Sequence, residues 1–122
     1  MTTINSFKDL RIWQLGMDIV TSVYSITRSF PKDELYGLTS QMRRCSVSIP
    51  SNIAEGFLRK HDKEYHQFLR IALGSSGELE TQVEIACKLE LLNTKTRDEL
   101  LEQIDHIRRM ILNLIKKLNI VV

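Results

Sequence analysis

Two prolines and five glycines are all that 122 residues contain, and a many-stranded β-sandwich or barrel would need more of both at its turns. The two cysteines, Cys45 and Cys87, form no Cys-x-x-Cys pair and stand beside no histidine at metal-ligand spacing. Both are therefore expected as buried, reduced thiols. No apolar run approaches the roughly 20 residues that cross a bilayer. Residues 1–10 lack a basic segment followed by an apolar run, so a secretory leader is not expected either. These absences predict a soluble, cytoplasmic protein with no membrane partner. Charge of neither sign dominates. Seventeen Lys and Arg against 15 Asp and Glu leave a net +2, far from the basic excess of a dedicated DNA-binding domain.

What is present is a chain 43% hydrophobic and 26% charged, enough for one domain over residues 1–122 with its own core. Ser6 followed three residues later by Asp9 predicts the start of a first helix, which Pro31 stops after Phe30. A second helix opens near Asp33 and Glu34 and carries Leu35, Leu38, Met42, Cys45, Ile49, Ile53 and Phe57 at three- and four-residue steps. Pro50 removes a backbone donor inside it, so this helix is expected to bend there. Asp62 is a candidate cap for a third helix, whose inward set is Tyr65, Phe68, Leu69, Ala72, Ser76, Leu79, Val83 and Ala86. That helix is expected to end at Asn93. Thr96 with Glu99 reads as a capping box for a fourth, with Leu100, Ile104, Ile107, Ile111, Leu114 and Leu118 on one seam. Four helices of similar length joined by short connections predict an all-α, antiparallel up-down-up-down four-helix bundle.

Helix one carries two apolar stripes. One is Leu10, Trp13, Met17, Val20 and Tyr24; the other is Ile12, Leu15, Ile19, Val23 and Ile26. At 100° per residue they cover about 220° of the helix, twice the ~100° that a surface helix buries. On helix four, Leu101, Leu112 and Ile115 add to this excess. Exposed stripes of that length mark a partner surface, unless neighbouring helices and Lys and Arg stems cover them. A homo-oligomer is predicted, with Ile12, Leu15, Ile19, Val23, Ile26, Leu101, Leu112 and Ile115 as candidate interface residues.

Charges beside the stripes need partners if they are to be buried. Folding helices three and four back on each other brings Glu80 or Glu84 level with Arg108. The same operation about His61 brings Arg44 level with Glu78. Residues 73–78 (LGSSGE) place small residues inside a helical pattern, although each glycine there costs about 1 kcal/mol relative to alanine. Close approach of another backbone is the expected compensation. A phosphate loop is a poor reading, since no Lys-Ser/Thr ending and no preceding strand accompany the glycines and Glu78 and Glu80 would repel an anion.

Catalytic chemistry finds no support. His61 and His66, with Asp62 and Glu64, lie on different faces and lack the Glu-x-x-His pairs of di-iron bundles. His106 stands among charged residues. The serines of residues 45–51 (CSVSIPS) have no general base at a recognisable spacing. No enzyme, metal or cofactor is expected. Arg59, Lys60 and Lys63 cluster at the second interhelical turn, and Arg108, Arg109, Lys116 and Lys117 follow the last acid, Asp105. These seven are candidate phosphate contacts for RNA or a nucleoprotein; solvated faces complementing the helix-four dipole are the alternative.

Residues 30–38 (FPKDELYGL), 41–44 (QMRR), 46–56 (SVSIPSNIAEG) and 71–80 (IALGSSGELE) resemble the bacterial four-helix-bundle proteins encoded in 23S rRNA intervening sequences. The resemblance spans nearly the whole chain. It implies a small cytosolic bundle assembled as a homopentamer around a central channel, and it implies no catalytic residue. The matched Gln41, Arg44, Asn52, Glu55 and Glu78 are expected as structural polar positions. The accessory protein of diversity-generating retroelements is distantly similar; its basic pentamer binds nucleic acid and a reverse transcriptase. This chain is much less basic. The two functional expectations are thus an oligomeric scaffold that binds RNA or a nucleoprotein, and a protein–protein interaction module whose cations are merely solvated.

Overall fold

The computed structural model describes residues 4–118. Its helices are α1 (Arg11–Thr27), α2 (Ser40–Leu58), α3 (Asp62–Lys88) and α4 (Thr94–Lys117), with no strand among the described residues. α1 packs on α2, α2 on α3, α3 on α4, and α4 returns to α1. Arg43 meets Thr27 while Pro50 meets Gly16; Ser48 meets Ser75 while Gly56 meets Phe68. Glu80 meets Arg108 while Glu84 meets Arg97. In each pair one residue number rises as the other falls, so these neighbours run in opposite directions.

The core is the inward set that helical periodicity selects. Leu69, Ala72, Leu79, Val83 and Ala86 of α3 are fully buried, and so are Ile104, Ile107 and Ile111 of α4, with Leu100 almost so. Each such large aliphatic side chain contributes about 1.5–3 kcal/mol by leaving water. On α2 the set is Met42, Cys45, Ile49 and Ile53, and Leu38 precedes it. Leu35, expected to join them, is 45% exposed.

Several boundaries differ from expectation. Ser6 and Asp9 do form a capping box, but it closes a single 3₁₀ turn, Phe7–Asp9, and extended Leu10 separates that turn from α1. α2 starts only at Ser40. Before it lie a 3₁₀ turn, Lys32–Glu34, and a π-helical turn, Leu35–Thr39, in which Gly37 leaves helical geometry and the Glu34 carboxylate accepts from Leu38 N. As expected, α2 is not divided at Pro50 and runs across it as one helix. Gly16 of α1 makes this possible by receiving the ring: a Cβ at Gly16 would lie 3.2 Å from Pro50 Cβ.

His61, not Asp62, occupies the cap position of α3, and Asp62 falls in the first turn, where its charge suits the helix dipole. α3 ends at Lys88, short of Asn93. Leu91 N–H donates to Ala86 O at 2.9 Å and Glu90 N–H to Cys87 O at 3.0 Å, with Glu90 at φ 62°; this is a Schellman closure built without glycine. Asn93 is then released to cap α4, its Oδ1 accepting from Thr96 N at 2.8 Å. Thr96 is therefore the recipient of the cap and not the cap itself. The glycines of α3 also differ: no atom lies within 4 Å of a Cβ built at Gly74 or Gly77. The inward small residues are Ser75 and Ser76, and the glycines face away from any backbone among the described residues.

Candidate functional site

Where α2 and α3 meet, residue spacing gathers polar side chains. Gln41, Arg44, Cys45 and Ser48 recur at three- and four-residue steps along α2, and Ser75 and Glu78 do so along α3. Together with Ser40 and Tyr36 they line a cleft of about 510 Å³. Its floor is tied down. Ser48 and Ser75 hydroxyls lie 2.8 Å apart, and Asn52 Nδ2 donates to Ser48 O at 2.8 Å and to Ser48 Oγ at 3.0 Å. Cys45 Sγ donates to Ser75 O at 3.0 Å. Burial, and then the neighbouring Glu78 carboxylate, push the Cys45 thiol up to about 12. It is thus fully protonated near neutral pH and has no nucleophilic character. Cys87, also expected buried, is only half-buried.

Arg44 and Glu78 share this cleft from opposite helices, but no ion pair joins them among the described residues. Glu78 instead accepts from Gln82 Nε2 at 3.4 Å and faces Cys45. Of the two acids expected near Arg108, Glu80 takes it in a salt bridge, and Glu84 pairs with Arg97 at 3.7 Å. A second cleft of about 390 Å³ adjoins the first and shares Tyr36, Ser40 and Arg44 with it; Tyr24, Leu35, Thr39 and Arg43 complete its wall. There the Arg43 guanidinium lies 4.6 Å over the Tyr24 ring, and its Nε donates to Thr27 Oγ1 at 2.9 Å. Nothing in the spacing of Arg43, Tyr24 and Thr27 signalled this cluster, because it forms across two helices.

The seven candidate phosphate contacts divide. Arg59 pairs with Glu55 at 2.7 Å and lies over the Phe68 ring, Arg109 pairs with Asp105 at 3.2 Å, and Arg108 is held by Glu80. Lys60 lies 5.1 Å from the Phe57 ring centroid, at φ 65°. Lys60, Lys63, Lys116 and Lys117 have no acidic partner among the described residues and are exposed. The reversed pairings of α2 with α3, and of α4 with both α3 and α1, bring these four lysines to one end of the bundle. Among the described residues no group of three His, Cys, Asp or Glu is placed to hold a metal ion. No described helix is long and apolar enough to cross a membrane.

The expected interface stripe is largely spent inside the chain. Ile12, Ile19 and Val23 are 4%, 1% and 0% exposed, because α2 and α4 pack on that face and leave nothing for a second copy. Leu15, Ile26, Leu101 and Ile115 are half-buried against the same core, and Leu112 is exposed. The apolar surface that α1 leaves open belongs to its other stripe, at Met17 and Tyr24.

The model of a family described as 23S rRNA-intervening sequence protein matches residues 8–113. No curated protein matches the chain. Among solved structures, a protein of unknown function from the S23 ribosomal protein family of Bacteroides thetaiotaomicron superposes with a TM-score of 0.78 at 17% identity, over 87% of this chain and 99% of the other. At that identity the likeness carries the fold alone.

Proposed function

The chain belongs to the family of 23S rRNA-intervening sequence proteins, and from that premise we propose that it is a non-enzymatic, cytoplasmic, oligomeric scaffold that holds RNA phosphates on one end of its bundle. The observation that carries this reading is the convergence of Lys60, Lys63, Lys116 and Lys117, exposed and without acidic partners among the described residues. Arg59, Arg108 and Arg109 are neutralised within the chain and drop out of the phosphate-binding set. Four lysines on one subunit are a weak site. In a ring of identical subunits, five as the family resemblance implies, the patch is repeated and avidity multiplies it. The open surface at Met17 and at Leu112 supports such an assembly. The protonated Cys45 thiol supports the absence of thiolate chemistry in the α2–α3 cleft.

The test is a titration of a structured RNA at several salt concentrations. Affinity is expected to fall linearly on a log–log plot, and replacing the four lysines by alanine is expected to flatten the slope by about 3 to 4, at ~0.7 to 0.9 per phosphate contact. Absence of binding at low salt would remove the RNA reading and leave a protein–protein interaction scaffold, which the internal pairing of three of the seven cations favours.

A further inference from the structure

Tyr36 is 93% exposed, against 58% for the next most exposed large hydrophobic residue among those described. The π-helical turn that carries it precedes α2 and holds the ring outside the bundle, where it adds nothing to the core. Behind it stand two arginines that join no ion pair among the described residues. Arg43 is pre-positioned by Tyr24 and Thr27, which occupy its face and its Nε and leave its terminal amino groups as donors. Arg44 lines both adjoining clefts, as do Tyr36 and Ser40. Beyond Arg44, the larger cleft offers Gln41, two serine hydroxyls and the Glu78 carboxylate.

We infer that this face binds a nucleotide of single-stranded RNA, with a base stacked on Tyr36 and the phosphate held by Arg43 and Arg44. An exposed aromatic ring beside two guanidinium groups free of acidic partners, one of them held in place, is the combination that unpaired bases require, since every base has a face to stack and a phosphate to neutralise. A duplex hides its base faces and could not use the ring. Two clefts sharing one arginine accommodate more than one nucleotide. In the larger cleft, Glu78 and the serines can accept from an exocyclic amino group or a ribose 2′-hydroxyl, the group that distinguishes RNA from DNA. The inference rests on the RNA-scaffold reading and adds to it a phosphate contact about 25 Å from Lys60 by the rise along α2.

Fluorescence anisotropy with a labelled, unstructured uridine-rich RNA tests it. Tyr36→Ala is expected to weaken binding by about 5- to 150-fold, the range of one stacked base, with the salt slope unchanged. Tyr36→Phe is expected to bind as the parent chain does. Arg44→Ala is expected to weaken binding and lower the slope by about 0.7. If the parent chain binds in a salt-dependent way and Tyr36→Ala binds equally well, this site is overturned while the lysine end stands. If the parent chain binds the structured RNA but not this one at low salt, this site is overturned while the lysine end stands; if it binds neither, both fail. If Tyr36→Ala lowers the mass of the assembly in light scattering, the ring belongs to a subunit contact and the nucleotide site is overturned.

Discussion

At Gly56 a Cβ would stand 2.8 Å from Phe68 Cβ and 3.0 Å from Tyr65 Cδ1, whereas at Gly74 and Gly77 it would meet nothing within 4 Å. The same residue type is thus required at Gly56 of α2 and dispensable at Gly74 and Gly77 of α3 within a single chain. Gly56→Ala is expected to destabilise the chain by about 1–3 kcal/mol, as overpacking of a closed contact does. Gly74→Ala and Gly77→Ala are each expected to stabilise it by about 1 kcal/mol, because alanine restricts the unfolded helix segment and suffers no clash. Urea denaturation of the three variants, with unchanged m-values, checks both signs. The sequence marked Gly74 and Gly77 as exceptions inside a helical pattern and passed over Gly56. It gave no means of telling which one another helix approaches, since that depends on how α2 and α3 are rotated about their own axes.

At the scale of the element, helix ends are where local signals compete. Residues 93–99 (NTKTRDE) contain two plausible caps, Asn93 and Thr96, each followed by residues that a helix accepts. The Schellman closure of α3 through Glu90 decides between them. It delivers the chain so that Asn93 becomes the first turn's acceptor. Asn93→Ala is expected to cost about 1 kcal/mol, and Thr96→Ala, which keeps the backbone donor that Asn93 caps, only a few tenths. Thermal or chemical denaturation of the two variants measures the difference; equal losses would restore Thr96 as the cap. In the same way Pro50 signals disruption in the sequence, yet α2 continues through it. A missing backbone donor is a local fact, and the space that Gly16 provides for the ring is not.

At the scale of the whole molecule, the two stripes of α1 are resolved by packing: one supplies Ile12, Ile19 and Val23 to the core, and the other leaves Met17 and Tyr24 open. Light scattering is expected to report a multiple of the single-chain mass, and Met17→Glu is expected to lower it without unfolding the subunit, since position 17 faces solvent within one chain. A stable monomer at high concentration would remove the ring on which avidity for RNA depends. The number of helices and, Leu35 aside, most of the inward sets of α2, α3 and α4 were written in the sequence, because 3.6-residue periodicity is a property of each helix alone. So were the candidate cations. Which α1 stripe turns inward, which acid takes Arg108, and whether Tyr36, Arg43 and Arg44 share one face were decided only by tertiary structure. Each of these depends on the rotation and sliding of one helix against another, a relation between segments that no single stretch of sequence encodes.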